Sequence, residues 1–185
     1  MNEEIKRLLL LYAIADEGPI GRYALKGILN LPEGVTRGLL SSLSTQNLLL
    51  TSKAGCKLSE KGENALHAWL TRYGVLTIKE LDVGQLKIAN AHMAIHVRGR
   101  KPKSILEGRD LAVRAGAKGA ILLTFLNGVL SVPMVYPDLS REFPEVAKTL
   151  LNVFNLKNGD LVIVCGASDR WRALEGALAV TASLE

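Results

Sequence analysis

Apolar positions recur at helical spacing from the start of the chain. Ile5, Leu8, Leu9, Tyr12 and Ala13 share one face and predict a first helix over 3–15. Glu17-Gly18-Pro19 breaks it. Tyr23, Ala24, Ile28 and Leu29 predict a shorter helix over 21–29, closed by Asn30-Leu31-Pro32. Pro32 suits the start of a third helix over 33–45, with Val35, Leu39, Leu40 and Leu43 as its apolar stripe. Its opposite face holds Gly34, Arg37, Gly38, Ser41, Ser44 and Thr45. Leu48 to Ser52 reads as a strand, Lys53-Ala54-Gly55 as a basic turn, and Cys56-Lys57-Leu58 as the return strand. Ser59 caps a further helix to about residue 73, carrying Ala65, Leu66, Trp69 and Leu70. Three helices and a small hairpin with a basic tip describe a winged helix-turn-helix over 1–73.

Residues 74–185 are patterned differently. The stretch 75–84 mixes apolar and charged residues, and 85–97 alternates in part like a strand. Arg98-Gly99-Arg100-Lys101-Pro102-Lys103 is a basic loop, after which Ser104 caps a helix to about Ala115. Two strands, 120–126 and 129–132, flank Asn127-Gly128, the strongest short hairpin signal. A helix from residue 139 or 140 to 154 follows, then Asn158-Gly159-Asp160, a strand over 161–165 and a last helix ending near Ser183. The hairpin requires antiparallel pairing. The class is therefore α+β, a winged helix-turn-helix followed by an α+β domain (74–185) whose helices pack on a mixed or antiparallel sheet.

Composition adds limits. The chain has 185 residues, 48% hydrophobic and 22% charged, which suits a folded protein of one full or two small domains. Aromatics make up only 5%, so the core must be aliphatic. The net charge of +5 permits an anionic partner without requiring one. No apolar run reaches the ~18 residues that span a bilayer, and no signal-peptide pattern is present. Cys56 and Cys165 lack CxxC spacing, so reduced thiols in a cytoplasmic protein are expected.

The third helix carries the first candidate chemistry. A helix fits the DNA major groove when its outer face is small and polar. Thr36, Arg37, Ser41, Ser44 and Thr45 are the candidate DNA-binding residues of this helix, with Arg37, Ser41 and Thr45 near bases and Arg37 long enough to reach guanine or phosphate. Lys53 and Lys57 on the wing, and Arg22 and Lys26 on the second helix, are the candidate phosphate contacts to double-stranded DNA. Residues 1–74 carry nine basic and seven acidic residues, and Asp16, Glu17, Glu33 and Glu60 sit close to the expected DNA face or its edges, so the non-specific attraction of one module is weak and a homodimer is expected. The alternative for this module is protein contact.

The second domain offers weaker signals. Arg98, Arg100, Lys101 and Lys103 could clamp a small anionic effector, a carboxylate or phosphate, or simply form a solvated loop. Arg109 and Asp110 suit either a structural ion pair or a ligand contact. Ser168 stands before a helix N-terminus, where backbone N–H groups bind anions, or where Ser168 or Asp169 simply caps the helix. His92 and His96 are four apart, but on a strand that spacing separates them by about 13 Å, which suits packing better than a metal. No HExxH, GxSxG or P-loop occurs. Neither a metal, a cofactor nor catalytic residues are expected.

The run Leu31-Pro32-Glu33-Gly34-Val35-Thr36-Arg37-Gly38-Leu39-Leu40-Ser41-Ser42-Leu43 resembles the recognition helix of archaeal winged-helix regulators. Lys53-Ala54-Gly55-Cys56-Lys57-Leu58-Ser59-Glu60-Lys61-Gly62 resembles their wing. Arg109-Asp110-Leu111-Ala112, Gly116-Ala117-Lys118-Gly119-Ala120, Asn127-Gly128, Pro133 and Asn158-Gly159-Asp160 are similar to the uncharacterised C-terminal domain of a small archaeal two-domain winged-helix family. The resemblance implies a transcriptional regulator whose second domain dimerises or senses an effector. A small enzyme using Arg98, Arg100 and Arg109 on a phosphorylated metabolite, or an adaptor, is the competing expectation.

Overall fold

Leu8, Leu9, Leu10 and Leu11 are all buried, with Ile5, Ala13 and Ile14, so the first helix is covered on every side rather than along one stripe. The computed structural model describes residues 3–185 and divides the chain into two units, the first ending at Leu70 and the second spanning Thr71–Glu185.

In the first unit α1 (Glu3–Glu17), α2 (Arg22–Leu29) and α3 (Glu33–Thr45) precede a hairpin of β1 (Leu49–Ser52) and β2 (Gly55–Leu58), and α4 (Glu60–Arg72) closes it. The hairpin is antiparallel, with Leu49 opposite Leu58 and Ser52 opposite Gly55. Ile20, between α1 and α2, exchanges both backbone hydrogen bonds with Cys56 and ties the wing to the helices. Gly55 has φ +127°, and a Cβ there would lie 2.5 Å from the Ile20 carbonyl carbon, so glycine is required. Ser59 Oγ accepts the Gly62 N–H at 3.0 Å, as a cap should. This is a winged helix-turn-helix. The buried face of α2 is Leu25 and Leu29, not Tyr23 and Ala24, which are exposed.

The second unit contains β3 (Val75–Glu80), β4 (Ala91–Val97), α5 (Ile105–Arg114), β5 (Gly119–Leu126), β6 (Val129–Ser131), α6 (Leu139–Glu142), α7 (Pro144–Val153), β7 (Leu161–Ala167) and α8 (Arg170–Thr181). The strands form one sheet in the order β3-β4-β7-β5-β6, every neighbouring pair antiparallel. β7 is central and buried along its whole length. Successive side chains of a strand point to opposite faces. On one face Leu122 lies under Gly108 of α5, with α8 packed beside it. On the other, Ala94, Leu123, Val162 and Val164 meet Val146, Ala147, Leu150 and Phe154 from α7 and its end. Helices thus cover both faces. The core is aliphatic, and Cys165 within it is fully buried, which pushes its thiol pKa up.

Several boundaries differ from the sequence pattern for physical reasons. β3 forms within 75–84, where mixed polarity gave no signal, because only one of its edges is paired. β4 begins at Ala91 rather than Gln85: Gly84–Leu86 is a 3-10 turn, and Lys87 follows in the left-handed region at φ 51°. Ile88 then sits over Gly119 and Gly166, where added Cβ atoms would lie within 3 Å of it. The helix expected over 139–154 is split at Phe143-Pro144, with proline opening α7. Asn127 and Gly128 both have positive φ, as a two-residue hairpin requires. Among the described residues, no helix is long and apolar enough to cross a membrane.

Candidate nucleic-acid interface

α3 exposes Glu33, Gly34, Arg37, Gly38, Ser41, Ser42, Ser44 and Thr45 and buries Thr36, Leu39 and Leu43. Val35 and Leu40, expected in the core stripe, are half-buried. Thr36 is a correction to the DNA-binding set expected from sequence. It is 0% exposed, and its hydroxyl donates to the Pro32 carbonyl at 3.2 Å. One methyl and one hydroxyl let it fill an apolar site while bonding the backbone, so its polarity misled the sequence reading.

The exposed face is shaped for close approach. A Cβ added to Gly34 or Gly38 would meet nothing within 4 Å. The packing of this unit does not demand glycine at either position, although glycine inside a helix costs about 1 kcal/mol relative to alanine. The pair borders a groove of about 410 Å³ lined also by Glu3, Lys6, Val35, Leu39 and Ser42. Arg37 is exposed and forms no ion pair among the described residues. Thr45 donates its hydroxyl to the Ser41 carbonyl at 3.0 Å, leaving the oxygen's acceptor capacity outward.

The wing presents Lys53 at its turn and Lys57 opposite Leu50, both exposed and without an ion pair among the described residues. Ser52 Oγ accepts the Ala54 N–H at 3.2 Å and donates to Gly55 O at the same distance, which fixes the turn. The α2 cations are arranged differently. Arg22 Nη2 lies 3.5 Å, and Lys26 Nζ 3.8 Å, from the two oxygens of Glu33. Arg22 also stacks on the Tyr23 ring, 4.9 Å from its centroid. The sequence showed an acid near this face, but not that it bridges both cations.

Residues 88–184 match the model of a domain of unknown function, DUF4443. The chain belongs to the DUF4443 family. Residues 5–76 match the model of the CggR N-terminal DNA binding domain. A solved structure of a hypothetical protein from Pyrococcus horikoshii OT3 is similar over 95% of this chain and 90% of its own, at 28% identity and a TM-score of 0.76. No curated protein matches the chain.

The DUF4443 domain does not gather its predicted anion site. Arg98 turns inward: Nε and Nη2 donate to the two oxygens of Asp160, and Nη2 also reaches the Asn155 carbonyl at 3.2 Å. Arg100 donates to the Arg72 carbonyl at 2.6 Å. Lys103 pairs with the Glu185 carboxylate at 3.1 Å, while Lys101 exchanges backbone hydrogen bonds with Glu185 and exposes its side chain. Arg98, Arg100 and Lys103 each have a different partner, and the Lys101 side chain faces solvent, so the four do not converge on one ligand. Arg109 and Asp110 are exposed on α5 and pair with no described residue, so neither is the structural ion pair considered from sequence. At the start of α8, Asp169 Oδ1 accepts the N–H groups of Trp171 and Arg172, at 3.0 and 2.9 Å, and Ser168 donates to Asp169. That cap occupies the groups an anion would use.

The polar centre that sequence reading missed is Asp160, 1% exposed, beside His96, 2% exposed. His96 Nε2 lies 2.7 Å from Asp160 Oδ2, and its ring is tilted against Phe154. Burial pushes the Asp160 carboxyl up, but Arg98, the Lys157 N–H and His96 outweigh it and lower the pKa to about 2. His92 is also buried, and desolvation lowers its pKa against the opposing charge of Asp82.

Proposed function

We propose that this chain is a DNA-binding transcriptional regulator, not an enzyme. Its winged helix reads duplex DNA, and its DUF4443 domain dimerises or takes a small anionic effector. The observation that carries the reading is the outer face of α3: two glycines that the packing does not require, around an exposed Arg37 that forms no ion pair among the described residues. That surface lets a helix backbone approach base edges while an arginine reaches guanine. The matched model of a CggR N-terminal DNA binding domain supports it. Arg98, on which an enzymatic site in the second unit would depend, is committed to Asp160. In a homodimer, recognition helices one helical turn apart make affinity sensitive to any effector that alters their spacing.

Fluorescence anisotropy against a duplex from the gene's own upstream region, beside a scrambled duplex, tests the reading at two salt concentrations. A preference that survives the higher salt and is erased by Arg37→Ala is expected. Equal, steeply salt-dependent binding to both duplexes, or none, would contradict it.

A further inference from the structure

Glu33 opens α3 beside the exposed face. On an isolated helix its natural partner is Arg37, four residues on. Here its carboxylate turns to α2 instead, 3.5 Å from Arg22 and 3.8 Å from Lys26, and Arg37 forms no ion pair among the described residues. The three side chains are 36–46% exposed, so solvent screens these pairs and a phosphate can exchange with the carboxylate. Arg22 would keep its position after such an exchange. Its guanidinium stacks on Tyr23 and donates to the Tyr23 hydroxyl at 3.1 Å.

We propose that Glu33 makes phosphate binding by Arg22 and Lys26 conditional on base recognition, and so sets the preference of this domain for its own site over bulk DNA. The inference rests on the DNA-binding reading above. A phosphate arriving between the two cations meets an anion already there, so their combined attraction is that of one charge. The first residues of a recognition helix are those that reach base edges in the major groove. Two bases offer an amino donor in the major groove, cytosine N4 and adenine N6, and the adenine N7 lone pair beside the latter repels a carboxylate, so cytosine is its favoured partner. Opposite a cytosine, Glu33 leaves α2 for that amine and frees Arg22 and Lys26 for the flanking phosphates. Opposite any other base it stays and blocks them.

The test uses the full chain with Glu33→Gln, a mixed random-sequence duplex of thirty base pairs and a salt series. Glu33→Gln should tighten binding to the random duplex several-fold at low salt and steepen the log affinity against log salt plot by about one phosphate contact, roughly 0.9 in slope. Arg22→Ala with Lys26→Ala, added to Glu33→Gln, should cancel the gain. Selection from a randomised duplex pool should fix a C·G pair at one position for the wild type, and not for Glu33→Gln. An unchanged slope, a gain that persists without Arg22 and Lys26, or the same base preference in both proteins would overturn the proposal. Failure of the wild type to bind any duplex would overturn the DNA-binding reading itself, and this inference with it. A thermal melt close to that of the wild type shows that Glu33→Gln remains folded.

Discussion

Arg98 grips Asp160 with two parallel hydrogen bonds, Nε to Oδ1 at 2.8 Å and Nη2 to Oδ2 at 2.7 Å. The same carboxylate takes His96 at 2.7 Å and the Lys157 N–H at 2.8 Å. These contacts join the end of β4 to the turn that launches β7. Asparagine removes the charge and keeps one acceptor oxygen, but it puts an NH2 donor where the other oxygen accepted from buried donors. Asp160→Asn should therefore lower stability by about 3 kcal/mol, read as a shift of the urea midpoint. A change below about 0.5 kcal/mol, the usual range for surface substitutions, would contradict the clasp.

The same carboxylate gives an acid dependence. Its pKa is lowered from 3.8 to about 2 in the folded chain. A depressed carboxyl contributes stability that is complete above the unfolded value and lost as pH falls through the folded one. Between pH 4 and pH 2 the wild type should lose about 2 kcal/mol from this group. Asp160→Asn, already lacking the contribution, should show a shallower decline over that window. Parallel slopes for the two proteins would refute the assignment.

Thr36 and Arg37 are neighbours in sequence with opposite fates. Thr36→Val keeps the shape of a fully buried side chain, and the Pro32 carbonyl retains the Thr36 backbone N–H at 3.0 Å. It should cost about 1 kcal/mol of stability and leave DNA affinity unchanged. Arg37→Ala should do the reverse, holding stability within about 0.5 kcal/mol and losing roughly 1–3 kcal/mol of discrimination between duplexes. Chemical denaturation and anisotropy on the same two variants separate these effects.

Local signals carried much of the fold. Pro32 with the spacing of Leu39 and Leu43 placed α3 at its observed bounds, and Asn127-Gly128 placed the hairpin, because each feature depends on residues near in sequence. Ser104 and Asp169 were recognisable as caps for the same reason. Arg98 was misread as a ligand clamp because its partner lies 62 positions away. Nothing near Asp160 announces that it is buried. Glu33 was visible as an acid beside the reading face, but its bridge to Arg22 and Lys26 depends on how α2 and α3 cross.

Gly176 marks a close approach of α8 to the α5 end in the second unit. A Cβ there would lie 2.7 Å from the Ala117 Cβ and 3.2 Å from the Ala112 carbonyl oxygen. Alanine is the better helix former, yet overpacking of this kind costs about 1–3 kcal/mol. Gly176→Ala should lower the melting temperature, whereas Gly38→Ala, with open space around it, should raise it. Equal shifts for the two would mean that α8 adjusts freely against α5.

The position of β7 imposes an order on assembly. β4 and β5 never touch as paired strands; each bonds to the strand between them, and that strand is the last of the sheet to be synthesised. Until Leu161–Ala167 leaves the ribosome, β4 and β5 are separate edges with apolar residues and open backbone groups. The five-stranded sheet of the second unit therefore cannot be completed until β7 has been synthesised. The winged helix has every one of its strands and helices by Arg72 and can fold long before then.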